Sequence, residues 1–139
     1  MKYMLLINNN RQVWEDLATW PPEDIKSTVA YMSDLMKDLT DAGELVAGQG
    51  LGGPARLKVV RAQPGGEPLV TDGPMAEAKE FLAGYFEVDV ASEERALEIA
   101  ALVSAAPGRG GVPDYAPIEV HPVMDAPDIM PELLEPYRK

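Results

Sequence analysis

The chain of 139 residues contains no cysteine. That absence excludes disulfides, thiolate nucleophiles and thiolate metal sites. Histidine occurs once, as His121, so a metal site would need a carboxylate-rich constellation, and neither metal nor cofactor is expected. Positive charge is scarce: 12 Lys and Arg stand against 23 Asp and Glu, a formal net charge of −11. Such a surface repels nucleic acid and acidic membranes, and no Lys/Arg cluster offers a local exception. A local cationic pocket around Lys79 or Arg56 still leaves room for a small anion. Long apolar runs are missing too. The opening MKYMLLINNN is too short for a signal-peptide core or a membrane span, and it reads as a first strand with a cytoplasmic location expected. The scattered Ser27, Ser33, Ser92 and Ser104 have no nucleophile-elbow context. The glycines of 48–53 and 108–111 match no phosphate loop and read as turns.

What is present is an ordinary globular composition, 46% hydrophobic and 25% charged, at single-domain length. Residues 3–8 are apolar on both sides, as in a central strand covered on both faces. Residues 8–20 read as irregular, with Trp14 and Trp20 in a loop. Pro21-Pro22-Glu23-Asp24 opens a helix over 23–42, in which Ile25, Val29, Met32, Met36 and Leu39 recur at three- and four-residue steps. Gly43 suits its C-terminal end. A strand over 44–51 follows, then two short extended runs, 56–62 and 67–71, joined by Gln63-Pro64-Gly65-Gly66 as a hairpin.

Residues 83–90 alternate, with Phe86, Val88 and Val90 on one face and Tyr85, Glu87 and Asp89 on the other. Ser92 caps a second helix whose buried stripe is Ala96, Leu97, Ala100 and Val103. A last strand over 118–123 points Ile118 and Val120 one way and Glu119 and His121 the other. Residues 1–124 form one domain, and 125–139, with Ile129, Met130, Leu133 and Leu134, form a C-terminal arm docked on a neighbouring surface.

The order is an α+β, ferredoxin-like βαββαβ plan with an inserted β-hairpin, both helices on one face of an antiparallel sheet. The uncovered face carries Tyr85, Glu87, Glu119 and His121 beside apolar side chains of the first strand. A half-apolar face of this kind calls for cover. A homodimer closing two sheets into a dimeric α+β barrel would supply it and enclose a cavity.

The stretch TDGPMAEAKE, residues 71–80, admits two readings. In one, the Asp72 carboxylate caps a helical turn over 74–80, Glu77 and Lys79 are solvated charges, and Glu80 caps or pairs locally. In the other, the corner borders the barrel cavity and its free N–H groups hold an anion or enolate-like oxygen. A desolvated Asp72 of raised pKa is then the general base, beside Lys79. His121, as the lone imidazole, is a second proton-transfer candidate, oriented by Glu119, Glu87 or Asp72, against the plainer reading of a structural histidine.

Asp72-Gly73-Pro74, then Glu77, Lys79 and Glu80, then Gly84-Tyr85 opening an apolar strand, resemble the signature of DGPF-type YCII-related proteins. Residues 2–7 and 118–123 are similar to that family's first and last strands, so the resemblance spans roughly 1–124. It implies a ferredoxin-like chain pairing as a dimeric α+β barrel, but no particular reaction. Some members are encoded beside alternative sigma factors, which hints at regulation or ligand sensing. Met75 stands where the family usually has phenylalanine, and His121 where arginine is common, which weakens transfer of an anion-clamping role. The candidate set is catalytic Asp72 and His121, with Gly73, Pro74, Glu77, Lys79, Tyr85 and Glu87 binding a small ligand. Three functions fit: a cofactor-independent isomerase or lyase moving a proton, by analogy with the barrels of muconolactone isomerases; a ligand sensor or carrier; or an interaction protein read through its acidic surface or arm.

Overall fold

A computed structural model describes residues 1–75, 78–124 and 130–139. Strand β1 (Lys2–Asn9) runs into helix α1 (Arg11–Leu17) and the long helix α2 (Pro22–Asp41). Strand β2 (Leu45–Gly50) leads to a two-stranded ribbon, β3 (Lys58–Arg61) and β4 (Leu69–Asp72). Strand β5 (Phe81–Asp89), helix α3 (Glu93–Ser104), strand β6 (Ile118–Pro122) and the short helix α4 (Met130–Leu134) complete the order. The main sheet is β2-β5-β1-β6 with every neighbouring pair antiparallel, and β3-β4 forms a separate sheet. This is the ferredoxin-like α+β arrangement with the hairpin inserted between β2 and β5.

Local chemistry sets the helix ends. Pro22 occupies the first turn of α2 with Glu23 and Asp24 beside it, where carboxylates meet the positive end of the helix dipole. Gly43 follows the C-terminal end at φ 73°, the left-handed conformation glycine adopts without strain. Ser92 caps α3 by accepting from the Arg95 N–H. Arg95 also grips Glu44 with two side-chain N–H groups at 2.9 Å, tying the β2 entry to α3. Those bonds hold the Glu44 carboxyl below its ordinary range and raise Arg95 further.

The core lies between the sheet and α2/α3, where Leu5, Leu39, Val88 and Ile99 are fully buried. Several expectations need correction. Residues 8–20 are not irregular: Asn10 accepts from the Val13 N–H at 2.9 Å and caps α1, so Trp14 is helical. Sequence periodicity overestimated the buried stripe of α2. Leu35 and Leu39 are buried and Met32 and Met36 pack at the margin, but Ile25 and Val29 are exposed, the N-terminal end of α2 being tied through Asp24 and Thr28 to the segment after α3. In α3 Ala96, Ala100 and Val103 are buried as expected, but Ile99 completes the stripe and Leu97 is exposed. Within one chain, β1 is covered on one face only: Tyr3 and Leu5 are buried, and Met4 and Leu6 are half-buried on the other side.

That other side bears two cross-strand rows, His121–Met4–Glu87–Ala47 and Glu119–Leu6–Tyr85–Gln49. Of the C-terminal arm, 125–129, Ile129 included, lies outside the described residues; Met130–Leu134 is helical.

Candidate functional site

The Asp-Gly-Pro corner differs from both sequence readings. Asp72 ends β4, opposite Lys58, and among the described residues of 73–80 none is helical, so it caps no helix there. Its side chain is 85% exposed and its carboxylate is bonded to the Lys58 ammonium. That hydrogen bond, with the charge behind it, holds the Asp72 carboxyl below the ordinary aspartate range. Within one chain Asp72 is thus an exposed, lysine-paired carboxylate rather than a desolvated base, because strand pairing delivers a lysine to it.

Gly73 and Pro74 form the bend, and Leu57 packs directly over Gly73, leaving no room for a side chain. Lys79 is exposed; Glu77 lies outside the described residues. Tyr85 and Glu87 stand on the open sheet face, half-buried. Asp72 and His121 are not brought together within one chain. The hollow at the corner is lined by Val59, Arg61, Leu69, Thr71, Asp72, Pro74 and Met75, without His121. His121 sits instead with Glu119, its Nε2 3.2 Å from Oε1, while the Asn8 side-chain amide donates to the same oxygen at 3.0 Å.

A second place, missed by sequence reasoning, gathers more groups. A cavity of about 450 Å³ opens where the C-terminal end of β1 meets α1, α2 and the segment between α3 and β6. This size suits a small organic molecule. Its apolar lining comes from Ile7, Val13, Leu17, Trp20, Met32, Val103 and Ile118. Its polar lining is Asn9, Asn10, Gln12, Asp16, Thr28, Ser104 and Asp114. The α1 residues 12, 13, 16 and 17 recur at helical spacing on one face, a signal that becomes readable once Asn10 is taken as a cap.

The walls are pinned by bonds between elements. Thr28 Oγ1 donates to the Pro107 carbonyl at 2.5 Å, and Ser104 Oγ to the Ala116 carbonyl at 2.7 Å. The Gly110 N–H donates to Asp24 Oδ2 at 2.8 Å, and Arg109 Nη2 to Asp16 Oδ1 at 3.0 Å. The Trp20 indole N–H donates to Asp16 Oδ2 at 3.2 Å. The indole bond above all, helped by the Arg109 charge and hydrogen bond, holds the Asp16 carboxyl below its ordinary range against the opposing effect of desolvation. Among the described residues, the side chains of Asn9, Gln12 and Asp114 make no hydrogen bond inside the chain, although all three line the cavity.

Among the described residues the lining itself carries Asp16 and Asp114 and no Lys, Arg or His, with Arg109 paired to Asp16 at its edge. Trp14 packs nearby, tilted on Phe81 at 6.5 Å between ring centroids, and seats against Gly53, whose φ is 83°. No helix among the described residues is long and apolar enough to cross a membrane.

Fold and cavity together define a ferredoxin-like α+β domain with a ligand-sized hollow on its helical side. Residues 1–115 match the YCII-related domain, and the chain belongs to that family. It is 30% identical over 126 residues, 87% of this chain and 94% of the other, to an uncharacterized protein of Rhizobium meliloti (strain 1021).

Proposed function

We propose that the chain is a small-molecule-binding protein of the YCII-related type that works as a homodimer and takes its ligand in the cavity beside α1. One observation carries this reading: the walls are fixed by bonds between elements, while Asn9, Gln12 and Asp114 keep unspent polar groups on an apolar lining. Prepaid wall order of this kind lowers the entropy cost of binding. Arg109 already pairs with Asp16 behind the wall, so Asp114 is the unpaired charge of the lining, and in a chain of net charge −11 it favours a neutral or cationic ligand with an apolar body. Pairing of copies covers the two rows of the open sheet face.

The test uses three probes that share one ring system: 2-naphthylmethylamine, 2-naphthalenemethanol and 2-naphthoate. Binding is followed by ligand-observed NMR and by the shift of the Trp20 indole N–H. The amine binds tightest and the carboxylate weakest, and Val13→Trp, which fills the cavity from its rim, abolishes binding. If no probe moves the Trp20 signal at millimolar concentration, or if Val13→Trp binds as well as wild type, the cavity reading is wrong.

A second reading, proton-transfer catalysis as an isomerase or lyase, is favoured by the His121–Glu119 pair steadied by Asn8. It is measured by solvent-deuterium exchange at the α-carbon of enolisable ketones and unsaturated lactones. His121→Gln removes the exchange and leaves the dimer intact; exchange that survives the substitution rules His121 out.

A further inference from the structure

We propose that the β3–β4 ribbon carries a second ligand site, a hollow at the Asp-Gly-Pro corner that holds a small organic monocarboxylate on Arg61. Strand register fixes which side chains meet there. Residues paired across the ribbon share a face, and successive positions alternate between faces. Lys58–Asp72 and Val60–Val70 therefore stand on one face, Val59–Thr71 and Arg61–Leu69 on the other. This second face, with Pro74 and Met75 after the bend, lines a hollow of about 430 Å³. It shares no lining residue with the cavity beside α1.

The same register decides the charge of the hollow. Asp72 also lines it, but its carboxylate is bonded to Lys58 across the strand pair. The Arg61 side chain has no ion-pair or hydrogen-bond partner among the described residues. The lining thus holds one acid already matched and one guanidinium unmatched, in a chain where acids outnumber bases 23 to 12. Beside Arg61 the lining is apolar. Leu69 and Met75 are 49% and 59% exposed, a surface left for an apolar body to cover.

Side chains, not the backbone of the corner, supply the donors. The Gly73 N–H is spent on the Leu57 carbonyl at 2.8 Å, and Pro74 has no N–H. The planar fork of Arg61 matches the two oxygens of a carboxylate. The Thr71 hydroxyl is a second donor, since its contact with the Val59 carbonyl, at 3.5 Å, is at the outer limit of a hydrogen bond. One guanidinium balances one negative charge. A phosphate dianion would leave a charge unmatched beside Asp72, so the geometry selects a monoanion with an apolar tail.

The test titrates ¹⁵N-labelled protein with 4-phenylbutyrate, 4-phenylbutan-1-ol and inorganic phosphate. Signals are read at the Arg61 Nε–H and at the Thr71 and Gly73 amides, with the Trp20 indole N–H reporting on the other cavity. The carboxylate shifts the three ribbon signals saturably and leaves Trp20 in place, while the alcohol and phosphate bind at least about tenfold more weakly. Arg61→Gln weakens 4-phenylbutyrate at least about tenfold. Arg61→Lys keeps the charge but loses the fork, and binds at least about threefold more weakly than wild type. The Val60 and Val70 amide shifts of the free variants confirm that the ribbon keeps its pairing. Wild-type affinity in either variant, equal binding of phosphate or the alcohol, or shifts confined to Trp20 overturns the site.

Discussion

Leu39 and Val29 occupy the same periodic stripe of α2, yet the structure gives them opposite surroundings. Leu39 is 2% exposed at the sheet interface, while Val29 is 59% exposed. Leu39→Ala deletes three buried carbons. At about 0.8 kcal/mol per carbon, plus a term for the void left behind, the cost is about 3–4 kcal/mol. Unfolding the 139 residues carries an entropy of about 0.3 kcal/mol/K, so this loss lowers Tm by about 10 °C or slightly more. Val29→Ala removes two exposed carbons and installs a better helix former, so its effect stays within about 0.5 kcal/mol, under about 2 °C. Thermal melts by circular dichroism at one fixed protein concentration measure both, which matters because pairing would make Tm concentration-dependent. Equal losses in the two variants would refute the reasoning, since Val29 would then be buried in solution against something the single chain does not contain.

The remaining predictions address the ion pair, the acid corner and the cavity wall. Glu44→Gln costs about 1 kcal/mol at neutral pH, the half-exposed Arg95 limiting the loss. Because the folded Glu44 value lies below the ordinary 4.5, the pair's stabilisation is present above that value and lost as pH falls through the folded one. Wild type therefore loses Tm below about pH 4.5 more steeply than the variant, and parallel curves would dismiss the pair. NMR titration puts the Asp72 midpoint below the ordinary 3.8, and a midpoint above it would restore the desolvated base. Arg109→Ala releases the wall from Asp16 and increases acrylamide quenching of Trp20 in a Trp14→Phe background; unchanged quenching means the wall holds without Arg109. Gly53→Ala destabilises by more than about 1 kcal/mol, from a positive φ and a new methyl 3.2 Å from Trp14, and a wild-type Tm would refute it.

The sequence by itself determined the elements that depend on neighbours along the chain. Pro22 with its carboxylates, Gly43 and Ser92 set helix ends through local backbone hydrogen bonding, and the alternation of Phe86, Val88 and Val90 marked the buried side of β5. Those signals sufficed for the ferredoxin-like order, the inserted ribbon and the half-apolar open face. One local signal was passed over, the cap of Asn10, because the two tryptophans after it suggested a loop.

Only the tertiary structure decided what surrounds each element. Periodicity states which residues share a face, not how far the opposing surface extends, so Ile25 and Val29 looked the same as Leu39. Cross-strand register, which spacing along the chain does not give, placed Lys58 against Asp72. The cavity joins Asn9, Asp16, Thr28, Ser104 and Asp114, groups from five parts of the chain that no spacing rule connects. Its place was set by where helices and loops meet above the end of β1, a contact between residues distant in sequence.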